Sequence, residues 1–165
     1  MILGISGWSG SGKTFLIKSL IPILNKNGIK VSTIKHAHAG FNIDHPGKDT
    51  YLHRKSGANE VLISSEKRFA LIHEYSSKEF SLHHLIEKME PTDLILIEGW
   101  KKENIKKIEV YRQSLGKPLL ANKDRNVIAI ASDVKSIENT DITVLPLNKP
   151  EKIAQYILKL LLSSK

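Results

Sequence analysis

The chain predicts an α/β protein: a three-layer sandwich around a mostly parallel, twisted sheet, with an antiparallel edge or hairpin. Residues 7–14 read Gly-Trp-Ser-Gly-Ser-Gly-Lys-Thr, a complete G-x-x-x-x-G-K-[ST] pattern between an apolar run and a helix-period stripe. Strand-like runs alternate with helix-like runs along the 165 residues. One run, Leu94-Ile95-Leu96-Ile97, is continuously apolar, as parallel strands covered on both faces are.

Ile2-Leu3-Gly4-Ile5 makes the first strand, and the glycine-rich turn follows it. Leu16, Leu20 and Leu24 with Ile17 and Ile21 then form a helical stripe ending near Gly28. Pro22 is expected to kink or shorten that helix, because it removes an internal hydrogen bond. Val31–Ile34 is the next strand, followed by a loop and a short helix within 36–57. Glu60–Ile63 and Phe69–Ile72 read as two short strands of a hairpin or edge. Leu82, Leu85, Ile86 and Met89 give another helical stripe before Pro91, and Asp93–Glu98 is the buried strand. Ile108–Tyr111, Val127–Ala131 and Thr143–Leu145 follow as strands, with Leu119–Ala121 as a further short one. Asn148 and Glu151 suggest a capping pair for a last helix whose Ile153, Ala154, Ile157, Leu158 and Leu161 face the core.

With 41% hydrophobic residues and no linker or repeat, the sequence predicts one compact domain over residues 1–165. No basic leader precedes the first strand, and no apolar stretch approaches the ~18 residues of a membrane span. No cysteine is present, so disulfides and thiolate metal sites are excluded. The expectation is a cytoplasmic protein with no membrane partner. The net charge of +8 includes a cluster at Lys101, Lys102, Lys106 and Lys107, read as a solvated face or an attraction for phosphate-rich ligands. No aromatic residues interleave that cluster as stacking platforms, so no nucleic-acid partner is expected.

The glycine-rich turn assigns chemistry to each position. Gly7, Gly10 and Gly12 permit close backbone approach, and the segment Trp8, Ser9, Ser11, Lys13 and Thr14 offers converging N–H groups to a phosphate. Lys13 is the candidate for the β- and γ-phosphates, and the Thr14 hydroxyl for Mg²⁺. Glu98, at the C-terminal tip of the buried strand, is the candidate metal-site acid. The 35–57 segment adds Asp44 and Asp49 as further catalytic carboxylates, Asp44 also as a metal ligand, and Lys48 as a phosphate contact. Asp49 at a helix start and His53, Arg54 and Lys55 at its end equally suit the helix dipole. His36, His38, His45 and His53 lie close in sequence, but without a cysteine or H-E-x-x-H they read as solvent-facing or phosphate-contacting rather than as a zinc site.

These stretches resemble the molybdopterin-guanine dinucleotide biosynthesis protein B family of P-loop NTPases. The resemblance rests on the phosphate loop, Lys35-His36, Asp44-His45-Pro46-Gly47-Lys48-Asp49-Thr50, Ser56-Gly57-Ala58, Glu98-Gly99-Trp100-Lys101 and Ile128–Asp133. It implies a homodimeric GTP-binding protein with weak GTPase activity, assisting the molybdopterin guanylyltransferase that joins GMP to molybdopterin. It implies Mg²⁺ and GTP as ligands, and molybdopterin or its dinucleotide form as a further contact. Trp8 stands where some dimeric P-loop ATPases place a second lysine for the partner subunit, so that mechanism is not expected here.

Guanine specificity comes from the resemblance alone. Asn122-Lys123-Asp124-Arg125 approaches N-K-x-D but has arginine where the base-reading aspartate belongs. Two other classes fit a phosphate loop: a small-molecule kinase, for which an arginine-rich lid is lacking, and an adapter module that merely holds a nucleotide.

Overall fold

The computed structural model describes residues 1–37 and 40–163. They form two compact units, one of Met1–Ala37 with Pro91–Lys165, the other of His38–Glu90. The first unit holds a six-stranded sheet of β1 (Ile2–Ser6), β2 (Val31–Lys35), β5 (Leu94–Glu98), β6 (Lys107–Tyr111), β7 (Val127–Ser132) and β8 (Thr143–Pro146). The strand order is β2-β5-β1-β6-β7-β8, and every pairing is parallel. β1 is central, with Ile2–Ile5 in register with Ile95–Glu98 on one side and Gly4–Ser6 with Lys107–Glu109 on the other.

Helices α1 (Lys13–Lys26) and α4 (Pro150–Ser163) pack on one face. Leu16, Leu20 and Leu24 of α1 and Ile153, Ala154 and Ile157 of α4 meet Leu3, Ile5, Leu94, Leu96, Ile108, Val110, Ala129 and Ala131 of the sheet. Burying each of these side chains contributes about 1.5–3 kcal/mol. This also explains why α1 runs through Pro22 to Lys26, contrary to the expected shortening. Pro22 and Lys18 both lie on the exposed side, so the freed Lys18 carbonyl faces water while the leucine stripe holds the helix together.

Side chains alternate along a strand, so Lys107 and Glu109 point away from the helices. Both are buried, at 2% and 0% exposure, which removes Lys107 from the surface cluster expected from sequence. The Lys107 ammonium donates to the carbonyls of Lys101 and Glu103 at 2.9 and 2.7 Å and to the Asp124 carboxylate at 2.7 Å. Glu109 accepts from the amides of Leu120 and Ala121 at 2.8 and 2.9 Å. Those bonds replace a strand at Leu119–Ala121 with a turn, because the amides go to a carboxylate rather than to a ladder. Burial pushes the Glu109 carboxyl up, and the two amides oppose that rise. For Asp124, burial acts upward, but Lys107 and Asn126 outweigh it and leave the carboxyl below its usual range.

The second unit contains α2 (Asp49–Lys55), the antiparallel pair β3 (Glu60–Ser64) and β4 (Phe69–His73), and α3 (Leu82–Glu87). The hairpin is a separate two-stranded sheet rather than an edge of the larger one. Asp49 opens α2, its cationic side chains close it, and α3 is capped by Ser81, which accepts from the His84 amide. The last helix begins with Pro150 in its first turn, where a missing N–H is tolerated. Among the described residues, no helix is long and apolar enough to cross a membrane.

Lys107→Ala leaves Asp124 without its cation and two carbonyls without a donor. Urea unfolding is expected to show a loss of about 3 kcal/mol. A change below about 1 kcal/mol would mean that the loops stand without this ammonium.

Candidate functional site

The phosphate loop joins β1 to α1. Gly7 has φ 141°, and a Cβ there would lie 2.5 Å from the Val110 carbonyl oxygen and 2.8 Å from Ser11 Oγ. Only glycine fits that approach. Gly10 and Gly12 also take positive φ, and Gly12 serves as the N-cap of α1 without supplying a side-chain cap. The amides of the first turn of α1 therefore face the loop at the positive end of a 14-residue helix. The Ser6 and Ser11 hydroxyls are buried beside Gly7 with no partner.

Lys13 reaches across the loop, its ammonium donating to the Trp8 carbonyl at 3.0 Å. Burial lowers its proton affinity; Glu98 opposes that, and Lys101 and Lys35 add to it. From β5, Glu98 meets the Thr14 hydroxyl, with Oγ1 at 3.1 Å and 3.3 Å from the two carboxylate oxygens. The next residue, Gly99, has φ 109°, and a Cβ there would come within 2.9 Å of His36 Cβ and 3.0 Å of the His36 carbonyl oxygen. The chain can thus turn directly after Glu98. A small cleft beside them is lined by Ser6, Gly7, Lys13, Gly99, Trp100 and Lys101 among others.

These groups fit a magnesium–triphosphate. A hydroxyl and a carboxylate share one point, a lysine stands beside them, and a glycine-built cradle presents amides. Among the described residues, no group of three or more His, Cys, Asp or Glu could hold a metal by itself.

The model of the family described as molybdopterin guanine dinucleotide synthesis protein B matches residues 2–133. The chain belongs to this family. It is 41% identical over 162 residues to the molybdopterin-guanine dinucleotide biosynthesis adapter protein of Escherichia coli (strain K12), covering 96% of this chain and 91% of that one. Identity to the adapter protein of the same description from Haemophilus influenzae is 39% over 158 residues, covering 94% and 86%. Among solved structures, the crystal structure of molybdopterin-guanine biosynthesis protein B (mobB) superposes with a TM-score of 0.77 at 29% identity, covering 97% of this chain and 99% of that one.

Within this family member, the first unit brings Gly7 to Thr14 and Glu98 together. Asp44 and Asp49 belong to the second unit. There Arg54 grips Asp44 with two bonds, Nε to Oδ2 at 3.2 Å and Nη2 to Oδ1 at 2.8 Å, and also meets Glu74 at 2.7 Å and Asn42 at 3.2 Å. The Arg54 hydrogen bonds hold the Asp44 carboxyl below its usual range. Both Asp44 oxygens accept from Arg54, and the side chain is 4% exposed. Asp49 occupies the first turn of α2. His38 lies outside the described residues.

Further contacts brace the loop from outside the motif. Trp8 donates its indole N–H to the Pro118 carbonyl at 2.7 Å, with the Lys101 and Lys117 ammonium groups 5.3 and 5.9 Å from the ring centre. Arg112 Nε donates to the Ser11 carbonyl at 3.0 Å. A scattered arginine gives no periodic or spacing signal, so sequence reasoning passed over it. Asp124 is fully engaged with Lys107 and Asn126, which removes the N-K-x-D-like segment as a base reader through that aspartate.

Because burial favours the neutral amine of Lys13, affinity for tripolyphosphate should fall as pH rises, beginning below the ordinary lysine range. Calorimetric titration across the alkaline range reads this directly. Lys13→Ala should remove both the affinity and its alkaline decline; a decline that persists in the variant would assign it elsewhere.

Proposed function

We propose that this chain binds GTP with Mg²⁺ on the loop of residues 7–14, hydrolyses it slowly, and assists the guanylyltransferase that joins GMP to molybdopterin. The observation that carries the nucleotide reading is the meeting of Thr14 and Glu98 at 3.1 Å beside the Lys13 ammonium. The pathway reading follows from family membership and from relatives described as adapter proteins of molybdopterin-guanine dinucleotide biosynthesis. The setting is the cytoplasm, where GTP and molybdopterin-loaded partners meet.

Each residue has a distinct task. Loop amides and Lys13 hold and orient the phosphate chain, and Glu98 and Thr14 would hold the cation. Mg²⁺, when bound there, supplies positive charge against the phosphate oxygens. Asp49 is the remaining candidate for orienting water, while Asp44 braces its own loop through Arg54. Slow turnover follows from the arginines. In the first unit these are Arg112, bonded to Ser11 and paired with Asp133, and Arg125, on the turn before β7. Arg112 is thus already engaged, and lacking a cationic finger lowers rates by about 10³–10⁵.

A homodimer is part of the reading. Leu62, Phe69 and Leu71 share one face of the β3–β4 hairpin by register, and all three are exposed. An isolated two-stranded sheet is marginal in water, and an exposed apolar face of this kind suits association.

Titration with GTP and ATP in Mg²⁺ should favour GTP, and more so with the guanylyltransferase present. Glu98→Gln should slow phosphate release to water on the order of 100-fold in single turnover. A preference for ATP, or transfer of labelled phosphate to a metabolite hydroxyl, would overturn the assignment.

A further inference from the structure

The two ends of a bound triphosphate are distinguishable from the geometry of the loop. Thr14 meets Glu98 on β5, which flanks β1 on one side. A cation and terminal phosphate at that point leave the nucleoside to emerge over the other flank, where β6 and β7 end. At those tips stand Arg112, directly after β6, and Asp133, directly after β7. Arg112 is anchored to the loop through the Ser11 carbonyl, with Nη2 3.5 Å from the point where a Cβ on Gly12 would sit.

Asp133 is held only loosely. Arg112 Nη1 and the Gln113 amide approach its two carboxylate oxygens at 3.4 Å each, and its side chain is 34% exposed. The backbone beneath it is firmer. Ser132 Oγ accepts from the Val134 amide at 3.2 Å, and the Ser132 carbonyl accepts from Leu147 at 2.7 Å. The other carboxylates tied to β6, Glu109 and Asp124, are fully engaged inside the fold. Asp133 is thus a two-oxygen acceptor with capacity to spare, mounted on a fixed strand end at the nucleoside side of the loop.

We propose that Asp133 reads the purine base, accepting from the N1–H and 2-amino group of guanine through its two oxygens, with Arg112 positioning it. This rests on the GTP reading above and deepens it. Two adjacent donors on one edge match a carboxylate as a guanidinium does. Adenine presents a lone pair at N1, which a carboxylate repels, so the same residue excludes ATP. Arg112, joined to Asp133 on one side and to the phosphate loop on the other, links base recognition to loop geometry.

The test is binding of GTP, ITP, XTP, ATP and tripolyphosphate to the full-length wild type and to Asp133→Asn. The wild type should bind GTP about 10- to 100-fold more tightly than ITP, which lacks the 2-amino donor, and more tightly than XTP. Asp133→Asn should bind XTP better than GTP, because the amide donates where xanthine carries a carbonyl, and should keep wild-type affinity for tripolyphosphate. Wild-type preference for GTP with unchanged GTP binding in the variant would sink the Asp133 assignment alone. A variant that loses GTP without gaining XTP also overturns it, since a merely structural tie to Arg112 gives that result. Equal wild-type affinity for ATP and GTP would fail the guanine reading first, and this inference with it.

Discussion

A buried lysine and a buried glutamate on β6 organise the sheet face opposite α1 and α4 in the first unit. Lys107 gathers two carbonyls and Asp124, and Glu109 gathers two amides, so the irregular segments 99–106 and 112–126 are fastened by charge rather than by apolar packing. Polar groups at such burial need partners: Lys107 has the Asp124 carboxylate and two carbonyls, and Glu109 has two amides. The fastening matters because these segments wall the phosphate loop. Trp100 and Lys101 line the cleft, Pro118 receives the Trp8 indole, and Arg112 holds the Ser11 carbonyl.

The loop itself meets two demands at once. Its backbone must turn tightly enough for amides to converge, which the positive φ at Gly7, Gly10 and Gly12 allows. It must also stay open against the lysine and arginine charges around it. Lys13 on Trp8, Arg112 on Ser11 and the ring of Trp8 under two ammonium groups together fix the loop from three sides. Preorganisation of this kind lowers the ordering cost when an anion arrives.

Much of this was legible in the sequence, for physical reasons. The phosphate loop and the apolar strand ending in Glu98 are local patterns, and their geometry follows from a few adjacent residues. The bounds of α2 followed from Asp49 at its start and the basic residues His53, Arg54 and Lys55 at its end. What stayed hidden depends on partners distant along the chain. Lys107 looked like one surface lysine among four, because its alternation on the strand has no meaning until Lys101, Glu103 and Asp124 are in place. Leu119–Ala121 looked like a strand because its composition is apolar, yet its amides answer Glu109. Asp44 looked free until Arg54 reached it. Arg112 and Asp133 acquire a role only when the parallel order sets the tips of β6 and β7 beside the loop.

The central position of β1 has a consequence for how the molecule is made. The strand leaves the ribosome before its neighbours, Ile95–Glu98 and Lys107–Glu109, which are translated much later. Until then its edges are unsatisfied, and the turn it leads into lacks the Val110 carbonyl against which Gly7 packs. The His38–Glu90 unit, with its hairpin and short helices, finds its pairings within a nearby stretch of chain. Contacts closed over such long separations form slowly. The turn between β1 and α1 is therefore completed only after β6 has been synthesised.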